Sequence, residues 1–111
     1  LIADVIKAMT QFSYAAEQEL YWKTLFVTIK AHAESFCVLL KAGFGHIILE
    51  EITKQMTAGL EEENAKDRYD MIFWSGAVYN VLTNWVQDGM KQTEDEMVQI
   101  CLYILENFDN A

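Results

Sequence analysis

Apolar residues recur at steps of three and four along almost the whole chain, which is the helical period. The pattern is densest from Lys66 to Phe108. There it predicts one helix over about 67–88 and a second over about 94–108, joined by a short turn. Gly89 stops the first, because glycine readily takes the left-handed conformation common just past a helix C-terminus. Thr93 starts the second: its hydroxyl can accept from the Glu96 N–H while the Glu96 carboxylate reaches back, a capping box. An antiparallel helix pair is the expected product. Upstream, residues 13–41 read as one long helix or as two, with a break around His32 to Glu34. Tyr14, Leu20, Trp22, Leu25, Phe26, Ile29, Phe36, Leu39 and Leu40 supply the apolar positions. Ala42 to Gly45 is a turn by its two glycines. A helix over 46–57 follows, with Ile47, Ile48, Ile52 and Met56 inward and Glu50, Glu51 and Lys54 outward, stopped by Gly59. The polar, acidic stretch from Leu60 to Lys66 reads as a solvated loop or first helical turn.

The helix over 67–88 is apolar on two sides. Met71, Trp74, Val78, Leu82 and Trp85 form one stripe; Ile72, Gly76, Tyr79, Thr83, Val86 and Met90 form another. A helix facing one core and one solvent phase needs a single stripe. The first stripe is assigned to the chain's own core and the second to a partner. The final helix repeats the excess, with Met97, Ile100, Cys101, Ile104 and Phe108 on one face and Val98, Leu102 and Leu105 on a second. The expected homodimer interface is therefore Ile72, Gly76, Tyr79, Thr83, Val86, Met90, Val98, Leu102 and Leu105.

Composition narrows the class. A length of 111 residues bounds one domain, 52% hydrophobic content is ample for a core, and the absence of proline with only five glycines favours long helices. An all-α antiparallel bundle is predicted. The balance of 8 basic against 17 acidic residues, a net charge of −9, argues against DNA binding by this chain itself. Cys37 and Cys101 lie in apolar runs without metal-ligand spacing and read as reduced core thiols of a cytoplasmic protein. No apolar run approaches the roughly 20 residues of a membrane span.

Catalytic chemistry finds no foothold. His32 and His46 lack zinc spacing; a contact of His46 with Glu50 is the most they offer. No serine sits on a glycine-flanked sharp turn. The carboxylate pairs, Glu50-Glu51 and Glu61 to Glu63, lie on polar faces. Gly43-Phe44-Gly45 lacks the spacing and lysine of a phosphate loop. No catalytic residue, metal or cofactor is expected. Aromatic and methionine side chains remain: Trp22, Phe26, Phe36, Met56, Tyr69, Met71, Phe73 and Trp74 are candidates for the wall of an effector cavity, suited to an apolar or aromatic small molecule.

One run also resembles a known family. From Phe73 to Leu105 come a small-residue pair (Ser75, Gly76), apolar residues, Trp85-Val86, Gly89, a threonine cap, acidic residues and an apolar last helix. Upstream, Glu34-Ser35-Phe36 and Val38-Leu39-Leu40 precede a glycine-containing loop. This is similar to the C-terminal domain of bacterial TetR/AcrR-type transcriptional regulators, nearest the subgroup of dihydroxyacetone-kinase operon activators. The resemblance implies a homodimer built from the last two helices of each subunit and an effector pocket in the helical core. It implies DNA binding only through an N-terminal helix-turn-helix unit not contained in this sequence. Residues 1–12, whose Leu1, Ile2, Val5, Ile6 and Met9 share a helical face, are then the end of a connector helix, and residues 13–111 the regulatory and dimerisation domain. Two other classes stand beside this reading: a dimeric protein-interaction module with a packed core, answering to a protein co-regulator, and a small helical enzyme, which would need a buried, perturbed acid.

Overall fold

The computed structural model describes residues 18–58, 60 and 64–109. The expectations for the connector (1–12), for Tyr14, for the Gly59 stop and for Glu61 to Glu63 lie outside the described residues, as does that for the Phe108 side chain. The described residues form helices joined by turns and short loops, without a strand: α1 Gln18–Ala31, α2 Ala33–Lys41, α3 Gly45–Thr57, α4 Ala65–Gln87 and α5 Glu94–Asp109. The chain is an all-α helical bundle.

Local chemistry accounts for the ends of these helices. The break at His32 is real: its N–H is shared between the Thr28 and Ile29 carbonyls, and its own carbonyl accepts from Phe36 to start α2. α4 begins two residues earlier than the pattern suggests. Asn64 caps it, its side-chain oxygen accepting from the Asp67 N–H at 3.3 Å, so the end of the acidic stretch is a first helical turn, one of the two readings given above. At the other end Gly89 takes φ +84° and Met90 φ +53°. The Gly89 N–H then bonds to the Val86 carbonyl and the Met90 N–H to that of Trp85, the paired bonds of a Schellman stop. Trp85 braces the same turn by donating its indole N–H to the Gln92 carbonyl at 3.0 Å. The capping box forms as expected, with both Thr93–Glu96 bonds at 3.1 Å.

The core is arranged around α1. Tyr21, Trp22, Leu25, Phe26 and Ile29 are all buried, three of them completely. Aromatic rings link α1 to α4: Trp22 stacks on Phe26 at 6.0 Å, and Phe26 meets Trp85 edge-on at 5.2 Å. Edge-on pairs are worth about 0.5–1.5 kcal/mol beyond their area. The close helix pairs are α3 with α4 and α1 with α5. Lys23 pairs with Asp95, and Lys30 with Glu94 at 2.9 Å, so both lysines of α1 reach the first turn of α5. α4 and α5, although joined by a short turn, are not among the close pairs. The two helices expected as an antiparallel pair thus stand apart, with α1 lying against both.

Candidate functional site

α4 shows how the two sides of one helix part. Inward it buries Ser75, Val78, Leu82, Thr83, Trp85 and Val86, Trp85 against Phe26 of α1 and Ser75 against α3. Ser75 donates to the Ile72 carbonyl at 2.8 Å. A serine hydroxyl has one proton to give, so Thr53 of α3 is the donor in the 2.8 Å Thr53–Ser75 contact. A Cβ added to Gly45 would stand 2.5 Å from the Tyr79 hydroxyl, so Tyr79 lies over the start of α3. Burial pushes its phenol pKa up.

On the other side, α4 and α5 stand apart over a groove. Trp74, Ala77 and Val81 form the α4 wall, Cys101, Ile104 and Leu105 the α5 wall, and Trp22 of α1 also lines it; its volume is about 70 Å³. Phe73, Ile100, Tyr103 and Ile104 are exposed large hydrophobics on the same two helices, Tyr103 at 66%. The Cys101 thiol is pushed up to about 11 by burial, so it is a packing group and not a nucleophile. A second cleft, open and about 570 Å³, lies between the starts of α1 and α5; Glu19, Lys23, Asp95 and Gln99 surround Leu20 and Val98 there. Among the described residues no group of three His, Cys, Asp or Glu is placed to hold a metal. No described helix is long and apolar enough to cross a membrane.

Of the eight proposed effector residues, the structure brings Trp22 and Trp74 to the same groove. Phe26 and Phe36 are sealed in the core, and Met56 packs against it, half-buried. Met71 is half-buried. Tyr69 and Phe73 face water; Arg68 lies 5.5 Å over the Tyr69 ring, and Phe73 packs edge-on against Trp74 at 5.3 Å.

The residues expected to meet a partner divide differently from the prediction. Thr83, Val86, Val98 and Leu105 are covered by their own chain, while Ile72, Tyr79, Met90 and Leu102 are half-buried. Gly76 is half-buried, with nothing within 4 Å of an added Cβ. The inward side of α4 therefore takes members of both predicted stripes, and the open side runs through Phe73, Trp74, Ala77 and Val81. The α5 faces are also redrawn: Met97, Val98, Cys101 and Leu105 are buried, whereas Ile100 and Ile104 are exposed. Ile47 of α3, expected inward, is exposed, as is the apolar Leu20 of α1.

One sequence signal for the open side went unread. From Met71 to Gln87 there is no charged residue, nor is there one from Met97 to Leu105, in a chain that is 23% charged. Water-facing helix positions in such a chain ordinarily carry charge. Here the exposed ones in these two stretches are apolar, aromatic or amide: Phe73, Asn80, Asn84 and Gln87, then Gln99, Ile100, Tyr103 and Ile104.

A family model described as a transcriptional regulator C-terminal region, of the TetR type, matches residues 12–107. Searches of curated proteins and of solved structures return no match.

Proposed function

Because the chain belongs to the C-terminal regions of TetR-type transcriptional regulators, we propose that it is the regulatory, self-associating part of such a regulator and not an enzyme. The seam in this reading is the open side of α4 and α5. The observation that carries it is the uncharged apolar face around the Trp22 groove. A contiguous exposed apolar patch is uncommon on a protein that stays monomeric. The core of an interface is depleted of charge, as these two stretches are. DNA is contacted through a helix-turn-helix unit N-terminal to this chain, consistent with the −9 charge of the chain itself. Sedimentation equilibrium of the 111-residue chain at tens of micromolar tests the seam. A dimer that Val81→Glu converts to a helical monomer is expected, and a monomeric parent chain would overturn it.

Effector sensing belongs to the same proposal in a narrower form than the family resemblance implies. Trp22 and Trp74 are the aromatic pair that an apolar or aromatic small molecule entering the groove would touch. Such a ligand alters DNA binding only by its difference in affinity for two arrangements of the protein. Quenching of tryptophan emission, with a raised melting temperature, is the expected response; at 100 times its dissociation constant a ligand adds about 2.7 kcal/mol. The interaction-module reading is favoured by a different observation. Leu25, Phe26, Ile29 and Phe36 are at most 1% exposed, a core filled by its own side chains. A panel of such compounds that moves neither emission nor melting, on a chain that still dimerises, selects that reading.

A further inference from the structure

We propose that the corner between α4 and α5 is a preset elbow that holds the Trp22 groove open in the free chain. The spacing of the two helices is the property inferred; its use by a ligand or a partner rests on the function proposed above. Two apolar helices joined by a short connection ordinarily pack side by side, about 8–10 Å between axes. Here Asp88 to Thr93 join them and the walls of the groove are apolar, yet α4 and α5 are not a close pair. Burying those walls against each other would be favourable, so the fold must contain something that opposes it.

The backbone of the corner carries the first sign. Gly89 and Met90 are both left-handed, at φ +84° and +53°. Glycine takes that region freely, whereas methionine is strained there. A strained residue persists where its surroundings over-determine it, and those of Met90 do. Its N–H is held by the Trp85 carbonyl at 2.8 Å, and its side chain packs against the core. Two residues on, the Gln92 carbonyl accepts from the Trp85 indole at 3.0 Å. Trp85 thus grips the corner twice, once through its backbone and once through its ring.

The next residue, Thr93, closes the capping box with Glu96, which fixes the direction in which α5 leaves the corner. α1 then clamps the result. Phe26 meets the Trp85 ring edge-on. Lys23 and Lys30, about two turns apart on α1, pair with Asp95 and Glu94 in the first turn of α5. Exposed ion pairs of this kind are weak on their own, so the central tie is the buried Trp85. α4, the corner, α5 and α1 form a closed ring of contacts at one end of the groove, and a fixed angle there keeps the two arms from folding together. A ligand or partner accordingly meets a groove already formed and loses no affinity to opening it.

Distances between two spin labels in one chain test the elbow. The labels sit at Asn80→Cys on α4 and Tyr103→Cys on α5, both exposed positions, in a Cys37→Ser background; Cys101 is buried. A large excess of unlabelled chain restricts the measurement to pairs within one chain. The parent should give one narrow distance. Trp85→Phe removes the indole N–H and keeps a ring in the core, and Gly89→Ala puts a side chain on a left-handed residue. Each should shorten and broaden the distance, toward that of packed helices, with helical circular dichroism retained. Glu96→Ala opens the capping box at an exposed position; it should broaden the distance too, and it decides the matter if the other two fail to fold. Folded variants that melt earlier but keep the parent's distance would make Trp85 a packing residue only and overturn the elbow, as would a parent distance that is already broad. Sedimentation of the same chain is read separately: a monomer there counts against the proposed seam and leaves the elbow standing.

Discussion

α4 meets α3 and α5 in opposite ways. Against α3 it is closed: a hydroxyl pair, Thr53 with Ser75, sits in the seam, and Tyr79 lies over the one residue at the start of α3 that has no side chain. Against α5 it is open, and Trp22 of α1 joins both helices in lining the gap. The closed side is specified by pairs of residues that fit each other. The open side is specified by what it lacks, namely charge. A fitted contact is complete within one chain, whereas the uncharged, exposed and grooved face is the one proposed above for a partner.

The sharpest break of this comparison uses two neighbouring residues. Leu82 is 1% exposed, so Leu82→Ala should cost about 2–5 kcal/mol of stability. Val81→Ala, one position away on the open side, should cost under about 1 kcal/mol when the chain is dilute enough to be monomeric. Urea denaturation of the two variants decides it, and equal losses would mean that α4 has no open side.

The closed side is sharpened by Gly45→Ala. The new Cβ collides with the Tyr79 hydroxyl and touches Leu40 at 3.4 Å, so Tyr79 must swing aside at about 1–2 kcal/mol. Tyr79→Phe in the same chain should restore part of that loss, because it removes the colliding atom. A Gly45→Ala loss that Tyr79→Phe leaves unchanged would place the strain elsewhere.

Gly76→Ala should have the opposite sign. The added methyl meets nothing, and alanine is preferred to glycine inside a helix by roughly 0.5–1 kcal/mol. A thermal melt at low concentration should therefore rise by a few degrees. A fall would place Gly76 against its own chain.

The smallest effect lies outside both seams. A hydrogen bond from Lys30 holds the Glu94 carboxyl below the usual carboxylate range. A carboxyl depressed in the folded state stabilises it above the unfolded-state pKa, and that contribution is lost as pH falls through the lower folded value. Melting temperatures of the parent and Lys30→Met should thus differ slightly near neutral pH and converge in acid. A gap that persists at the lowest pH would assign the lysine's effect to packing of its stem.

How much of this was legible in the sequence follows from where each signal is stored. The capping box, the Gly89 stop and the helical period are local, and they read correctly because the residues that make them lie within a few positions of one another. The Asn64 cap was equally local but was hidden in an acidic run that resembles a loop. Which side of α4 faces its own chain was not legible. A helix apolar all round has no contrast in its own pattern, and the deciding partners, Gly45 and Thr53, lie on another helix. The candidate site was half legible for the same reason: Trp22 and Trp74 were both singled out, but only the fold brings them to one groove.

The placement of α1 also bears on when the domain takes shape during synthesis. Its partner α5 lies some 70 residues downstream, as the Lys23–Asp95 pair, 72 positions apart, records. The buried side of α5, Met97, Val98, Cys101 and Leu105, does not yet exist while α1 to α4 are leaving the ribosome. Contacts of such long sequence separation form late, so Trp22 and its neighbours lack the cover of α5 until Leu105 has been made. Growing chains halted before Glu94 should accordingly remain open to proteases, and protection at that length would show that α1 finds cover without α5.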